Sequence, residues 1–503
     1  MKFYNREREL QKLAEIAELA ADSAHMLVVT GRRRIGKTEL VRQFLNNRED
    51  ALYLFVSKKK PQILLDEFRD LVAVKIPLAA NVTFRNFDDF FSFIFQYLKE
   101  HSLIIILDEF QNFRDVDASV FTVLQRLWDT NKNESKGMFI FIGSVLTLMK
   151  NIFEGSQEPL FGRATARMVL DPLPPDAVAA ILNDHRLQAP ASLLFFHTLF
   201  GGVPKYYFLL DRYKLFKQPP EEIIRRLFVE ADAPLQNEGR ELLIEEFGKN
   251  YHLYFSILQV VASGETQMAR IADRTGINVN SISKYLDELT NFYQILERRL
   301  PVTDYREGKK RGRYYLRDQT LRFWFRYIFR NRTLIEIGDE DSLIRKILEG
   351  LPTLMGRAFE ELVRSLLLRK NDTPFLPFRF NRIGAFWSRR GDVEMDIVAL
   401  DDGGGKVLFG ECKLAGHKVT RADIQRLREK ARHVKWLAGS RQEYYALFSA
   451  VTMPYAARAA LAAEGVIIYD LPQLLAQANA VYQKPEEESQ NGTVLFFNRG
   501  DKG

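Results

Sequence analysis

The apolar run Met26 to Thr30 passes directly into Gly31-Arg32-Arg33-Arg34-Ile35-Gly36-Lys37-Thr38, and no other junction in the chain restricts the fold so tightly. Glycines at both ends of the loop let consecutive backbone N–H groups turn inward around an anion. Lys37 adds a point charge for outer phosphates, and Thr38 a hydroxyl for Mg²⁺. Such a loop works between a buried strand and a helix N-terminus, so the chain is expected to open with a parallel α/β sheet that binds a nucleoside triphosphate, with ATP favoured because no guanine-reading aspartate motif is present. The residues expected to touch the nucleotide are Gly31, Arg32, Arg33, Arg34, Ile35, Gly36, Lys37, Thr38 and Glu39, with Lys37 also serving catalysis.

Ala51 to Val56, Leu103 to Leu107 and Met138 to Ile142 repeat the buried-strand pattern, with helix-length segments between them. Leu103 to Leu107 ends in Asp108 and Glu109. Asp108 is expected to hold the metal through its water shell, and Glu109 to polarise the attacking water. Gly143-Ser144 closes the next run, where Ser144 reads either as a sensor of the γ-phosphate or as a cap for the helix that follows. In Pro159-Leu160-Phe161-Gly162-Arg163, the forked, permanently charged guanidinium suits a catalytic contact with a phosphate of its own or a neighbouring subunit. A surface salt bridge is the competing reading for Arg163 and the stronger one for Arg167.

After Asp171-Pro172 the strand runs give way to helical patterns as far as about Pro234, broken at Gly201-Gly202-Val203-Pro204, which reads as a small helical lid. Gln267 to Thr275, a turn at Gly276, Ser281 to Thr290, a strand within Tyr293 to Leu300, a basic loop and a strand Arg313 to Leu316 follow in the order of a winged helix-turn-helix. Asn278, Asn280, Ser281, Ser283 and Lys284 are left to face a DNA groove, and Arg306, Lys309, Lys310, Arg311 and Arg313 suit phosphate neutralisation. A packing or relay module is the alternative. Leu321 to Tyr327 reads as a helix packing this module against what comes next.

From about Pro352 a second α/β unit begins. Glu394 and Asp396 share one face of a strand, Glu411 and Lys413 one face of the next, while Cys412 points away. Two carboxylates and an ammonium so arranged can hold a divalent metal and position water for phosphodiester attack. A helix from Arg421 to His433, with Arg421, Arg426, Arg428, Lys430 and Arg432, fits DNA beside that site or a solvated face.

Charge agrees with an acidic partner without requiring one: 72 Lys and Arg against 65 Asp and Glu leave a net +7 over 503 residues. A lone cysteine, Cys412, cannot form an internal disulfide, which fits a reducing compartment. The charged start and the lack of an apolar run of ~20 residues lead to the expectation of a cytoplasmic protein without a membrane partner.

Phe3-Tyr4-Asn5-Arg6-Glu7-Arg8-Glu9-Leu10, the arginine-filled loop, Leu107-Asp108-Glu109-Phe110-Gln111, Pro159 to Arg163 and Gly201-Gly202-Val203-Pro204-Lys205-Tyr206 together resemble the archaeal-type ATPase family. These are relatives of the signal-transducing ATPases of the AAA+ and STAND grouping. The likeness covers about residues 1 to 230 and implies ATP, a helical lid and nucleotide-controlled domain rearrangement, with Gly201, Pro204 and Lys205 near the nucleotide. The spacing of Asp396 and Glu411-x-Lys413 resembles the PD-(D/E)XK nuclease superfamily. That resemblance implies catalytic roles for Asp396, Glu411 and Lys413. It also implies Glu360, on a helix Gly356 to Leu368, as a further acidic residue, so that Glu360, Asp396 and Glu411 hold Mg²⁺ or Mn²⁺. Tyr315 to Leu475 also resembles the domain of unknown function that accompanies archaeal-type ATPases.

The expected architecture is a multidomain α/β chain: P-loop ATPase core 1–171, helical lid 172–240, winged helix 241–318, aromatic-basic helical linker 319–350, restriction-endonuclease-like α/β domain 351–483 and a mobile tail 484–503. The expected function is ATP hydrolysis coupled to DNA binding, with metal-dependent cleavage by the last domain. The alternative is an ATP-controlled signalling or assembly scaffold whose nuclease-like domain is not catalytic. Expected partners are ATP and DNA, with a homo-oligomer left open.

Overall fold

The first strand, β1 (His25–Thr30), is buried along both faces, which explains why no polar residue interrupts its centre. Met26 and Val28 enter one apolar core, Leu27 and Val29 the other. In the computed structural model, which describes residues 2–46, 48–247, 251–304, 311–415 and 419–476, this strand joins β2 (Ala51–Phe55), β3 (Ile104–Asp108), β4 (Met138–Ile142) and β5 (Ala166–Val169). The order is β2-β3-β4-β1-β5 and every pairing is parallel. The carboxyl ends of β1, β3 and β4 therefore share one edge, where loops can converge on a ligand.

The chain divides into two compact units. Met1–Leu173, Val203–Arg212 and Glu241–Lys249 form the first, and Pro174–Gly202, Tyr213–Arg240 and Asn250–Gly503 the second. The segment expected as a lid, 172–240, is thus shared between them. Its helices Pro175–Asp184, Pro190–Phe200, Pro204–Arg212 and Pro220–Ile224 each start on proline, whose missing N–H costs nothing in a first turn.

In the second unit the helices Met268–Thr275 and Val279–Asp287 are separated by Gly276 at φ +70 and capped by Asn278, whose side chain accepts from Asn280 N. Ile271, Ala272, Ile282 and Leu286 are buried at helical spacing. An antiparallel pair follows, β6 (Leu296–Arg299) and β7 (Arg313–Leu316). Residues 305–310, and with them Arg306, Lys309 and Lys310, lie outside the described residues. The aromatic-basic stretch Leu321 to Tyr327 is buried apart from Arg326, and Arg322 bonds both Leu316 O and Glu361.

A single helix, Glu340–Lys370, replaces the expected linker end and helix start, so the boundary at 350 and 351 falls inside it. Pro352 sits within this helix at a typical cost of about 3 kcal/mol. The buried stripe Leu343, Ile344, Ile347, Leu351, Leu354, Met355, Ala358 and Phe359 outweighs that cost.

The second sheet is mixed. β8 (Arg382–Trp387), β9 (Glu394–Asp401), β10 (Lys406–Lys413), β11 (Gln442–Ser449) and β12 (Val466–Asp470) lie in the order β12-β11-β10-β9-β8, antiparallel from β8 to β10 and parallel beyond. Val302 and Arg311 bond the edge strand β8: Val302 N donates to Ala385 O at 2.9 Å, Arg382 Nη1 to Val302 O at 2.8 Å, and Trp387 Nε1 to Arg311 O at 3.0 Å. Among the described residues no single helix is long and apolar enough to cross a membrane.

Candidate functional site

Gly36, at φ +92, caps the helix Lys37–Leu45, a backbone geometry that a side chain would strain. Arg34 precedes it at φ +72, a left-handed conformation that a bulky residue adopts only when its surroundings enforce it. The loop they shape opens onto a cleft of about 700 Å³ lined by Lys37, Thr38, Glu39, Asp108, Glu109 and Ser144. Arg6, Leu173, Pro204 and Lys205 line it as well.

Lys37 Nζ donates to Gly31 O at 2.7 Å and to Arg32 O at 3.0 Å, so the ammonium bridges its own loop. Burial lowers its pKa to about 8, against the opposing pull of Glu109 and Asp108. Thr38 Oγ1 donates to Asp108 Oδ2 at 2.9 Å. Tyr53 Oη donates to the same oxygen at 2.5 Å, and Glu109 N donates to Asp108 Oδ1 at 2.9 Å. Burial, followed by the Asp108 hydrogen bond, raises the Tyr53 phenol well above its ordinary range, so it stays a donor.

Glu109 lies at φ +55, in the left-handed region immediately beyond the end of β3. Ser144 Oγ donates to Glu109 Oε2 at 2.8 Å, and Gln111 Nε2 donates to the same oxygen. Ser144 is therefore a partner of Glu109 rather than a cap; the next helix, Leu146–Glu154, starts after Val145 with no side-chain cap. Gly143 is required beside it, because a Cβ there would meet Met149 Cγ at 2.2 Å and Gln111 Oε1 at 2.6 Å.

Arg163, read either as a contact to a phosphate of its own or a neighbouring subunit or as a surface salt bridge, makes a salt bridge within the chain. It does not line the cleft; Nη2 pairs with Asp129 Oδ2 at 2.6 Å, and Nη1 donates to Pro159 O at 2.7 Å. Arg167 forms the expected salt bridge, with Glu154 at 3.1 Å.

In the second unit Asp396 Oδ2 accepts from Cys412 N at 2.8 Å, and Glu411 pairs with Lys430 at 2.5 Å and with Lys413 at 3.7 Å. Burial, then Glu411, raises the pKa of Asp396; burial, then Asp396, raises that of Glu360. The three carboxylates are thus electrostatic neighbours, yet among the described residues no three His, Cys, Asp or Glu side chains gather at metal-ligating separation. Glu394 is exposed and pairs instead with Arg313 at 2.5 Å, while Arg311 pairs with Asp304 at 2.6 Å. Arg311 and Arg313, the two described arginines read as phosphate contacts of the basic loop, are therefore engaged within the chain.

Two family models match. An ATPase domain predominantly from Archaea covers residues 3–188, and a domain of archaeal and bacterial proteins of unknown function covers residues 324–427. The uncharacterized protein MJECL04 of Methanocaldococcus jannaschii is 31% identical over 411 residues, 82% of this chain and 87% of that protein. The chain belongs to the archaeal-type P-loop ATPases that carry a carboxy-terminal domain of unknown function. Solved structures similar to this ATPase include the Walker-type ATPase paby2304 of Pyrococcus abyssi, at 16% identity and TM-score 0.49 over 64% of this chain and 96% of that one. The Aeropyrum pernix ORC2 protein follows at 14% identity and TM-score 0.41 over 69% and 96%.

Sequence reasoning missed Tyr53, Gln111 and Glu246, the first two of which bond the cleft's Asp108 and Glu109. Tyr53 sits in an apolar run that read as core, and only its alternation with Leu52 and Leu54 sets it on the other face. Gln111, two residues beyond Glu109, is uncharged and carries no signal of its own. Glu246 had no local signal: it hydrogen-bonds Thr147 at 3.1 Å from a helix 99 residues further along the chain.

Proposed function

We propose that the cleft holding Lys37, Thr38, Asp108, Glu109 and Ser144 is where this ATPase binds and hydrolyses ATP, and that the cycle acts on a DNA-directed winged helix formed by Met268–Thr275, Val279–Asp287, β6 and β7. The observation that carries the catalytic part is the Thr38–Asp108 hydrogen bond, which faces a hydroxyl and a carboxylate at 2.9 Å beside the phosphate loop. Two hard oxygens, one fixed by Tyr53, are a donor set that fits Mg²⁺. When bound, Mg²⁺ offsets charge on the phosphates.

The chain's own groups do the rest. Lys37 exchanges the carbonyls of Gly31 and Arg32 for phosphate oxygens. Glu109, held by Ser144 and Gln111, orients a water and accepts its proton. Fixing the carboxylate in advance lowers the reorganisation required at the moment of attack.

Lys37→Ala tests this reading by nucleotide binding and phosphate release: both are expected to collapse while the circular dichroism spectrum is unchanged. Wild-type turnover in that variant would sink it. The DNA part is supported by the exposure of Asn278, Asn280, Ser281, Ser283 and Lys284 on one face. Anisotropy with a labelled duplex is expected to weaken in Lys284→Ala; identical binding removes that helix from the contact.

The mutual charge of Glu360, Asp396 and Glu411 supports a second reading, metal-dependent DNA cleavage by the carboxy-terminal domain. Cleavage with Mg²⁺ or Mn²⁺ that vanishes in Asp396→Ala supports it. No cleavage by wild type under any nucleotide condition favours a scaffold, a reading to which the pairing of Glu411 with two lysines already lends support.

A further inference from the structure

The helix Glu238–Phe247 belongs to none of the motifs that mark the phosphate loop, yet one of its carboxylates bonds that loop and another bonds the helix that follows Ser144. Glu241 Oε2 accepts from Arg34 Nη2 at 2.8 Å, with the Arg34 side chain 15% exposed and Glu241 59%. Glu246 Oε2 accepts from Thr147 Oγ1 at 3.1 Å, on the helix that follows Ser144. Its charge also acts on Arg32, Arg33 and Lys37.

Arg32, Arg33, Arg34 and Lys37 place four cations within six residues, and a loop so charged repels itself unless carboxylates stand by. Asp108 and Glu109 supply two of these. Glu241 and Glu246 supply two more, from a helix with no part in the chemistry read above. When a polyphosphate enters, the same carboxylates repel it.

We infer that Glu246, with a smaller share from Glu241, is a positioning residue that steadies the cationic loop when it is empty and weakens its hold on nucleotide phosphates when it is filled, so that product can leave. This rests on the cleft being the nucleotide site. Glu241 is more than half exposed, so solvent and salt screen its effect. Glu246 is the stronger of the two because it is partly buried beside Thr147.

The sign of the effect distinguishes this role from mere support of the fold. Losing a structural hydrogen bond loosens a site; losing a repulsive charge tightens it. Equilibrium binding of ADP and of ATP to the full chain is measured for wild type, Glu246→Gln, Glu241→Gln, Thr147→Val and Lys37→Ala. Glu246→Gln is expected to bind ADP on the order of tenfold tighter, the order of effect of removing one partly buried like charge. The gain should shrink as salt rises, and kcat should fall along with KM as release slows. Glu241→Gln is expected to tighten binding about threefold, and Thr147→Val, which keeps the charge, to stay within about twofold.

Unchanged or weaker binding in Glu246→Gln, with binding abolished in Lys37→Ala, overturns the inference and leaves the nucleotide site intact. Wild-type binding in Lys37→Ala overturns both. If Glu246→Gln does not fold, Glu246→Asp and Glu241→Gln carry the test: the first should bind like wild type and the second more tightly, and any weakening in the second counts against the role.

Discussion

Ser144→Ala isolates the residue that the structure assigns to Glu109. The substitution removes one hydroxyl from a buried position and introduces no bulk, so the fold should be retained. A hydrogen bond to a charged acceptor contributes about 1.5–3 kcal/mol, and about 1.4 kcal/mol is tenfold in rate. Gln111 donates to the same Glu109 oxygen and remains in place, which puts the expected loss at the lower end, about tenfold in kcat. KM for ATP should change less than twofold, because the hydroxyl holds a carboxylate and not the substrate. The assay is steady-state phosphate release, with Gln111→Ala and the double variant completing a cycle. Since both donors restrain one oxygen, the double variant should lose more than the product of the single losses. A kcat within twofold of wild type, or a loss confined to KM, refutes the assignment of Ser144 as the group that aims Glu109.

Other expectations follow from single contacts. Arg163→Ala should lower stability by about 1–2 kcal/mol in urea titrations through its Asp129 and Pro159 contacts, with kcat unchanged; a fall in kcat beyond tenfold would show that the guanidinium reaches a phosphate after all. Gly143→Ala should destabilise by about 1–3 kcal/mol, because its Cβ overlaps Met149 and Gln111; an unaltered melting temperature contradicts the close approach. His197, whose Nδ1 has no partner among the described residues, has its pKa lowered by burial to about 4. The unfolded chain takes up that proton first, so stability falls as pH drops from about 6.5 toward 4, by about 2 kcal/mol between pH 7.5 and pH 5. Urea unfolding of His197→Leu should lack that part of the pH dependence, and parallel pH curves for the two proteins would exclude the histidine.

The phosphate loop, the acidic strand end and three of their four partner strands were legible because each combines a continuous apolar run with a polar residue at its carboxyl end. β5 was not, since Ala166–Val169 alternates exposed and buried positions over four residues. β8 and β11 escaped for different reasons. Gly384 and a register shift before Phe386 break the pattern of the first, and Gln442 and Glu443 begin the second on a polar, exposed end. Pro352 drew the expected helix start toward it, but burial on the preceding turns decided otherwise. The cationic loop before β7 read as a DNA contact because sequence shows charges and not their partners. Asp304 and Glu394, 7 and 81 residues away from theirs, answer Arg311 and Arg313.

The bonds that Val302 and Arg311 share with β8 bear on how the chain can be shortened. An open sheet edge offers unpaired N–H and C=O groups to any extended strand, including another copy of itself. Val302 takes up one carbonyl of that edge, Ala385 O, and the β8 side chains Arg382 and Trp387 bond Val302 O and Arg311 O beside it. A deletion that takes Val302 and Arg311 along with the loop's charges also removes these bonds. Insolubility of such a truncation reports on strand-to-strand association between molecules, whereas charge-neutral substitutions that keep the backbone of this segment leave the bonds in place.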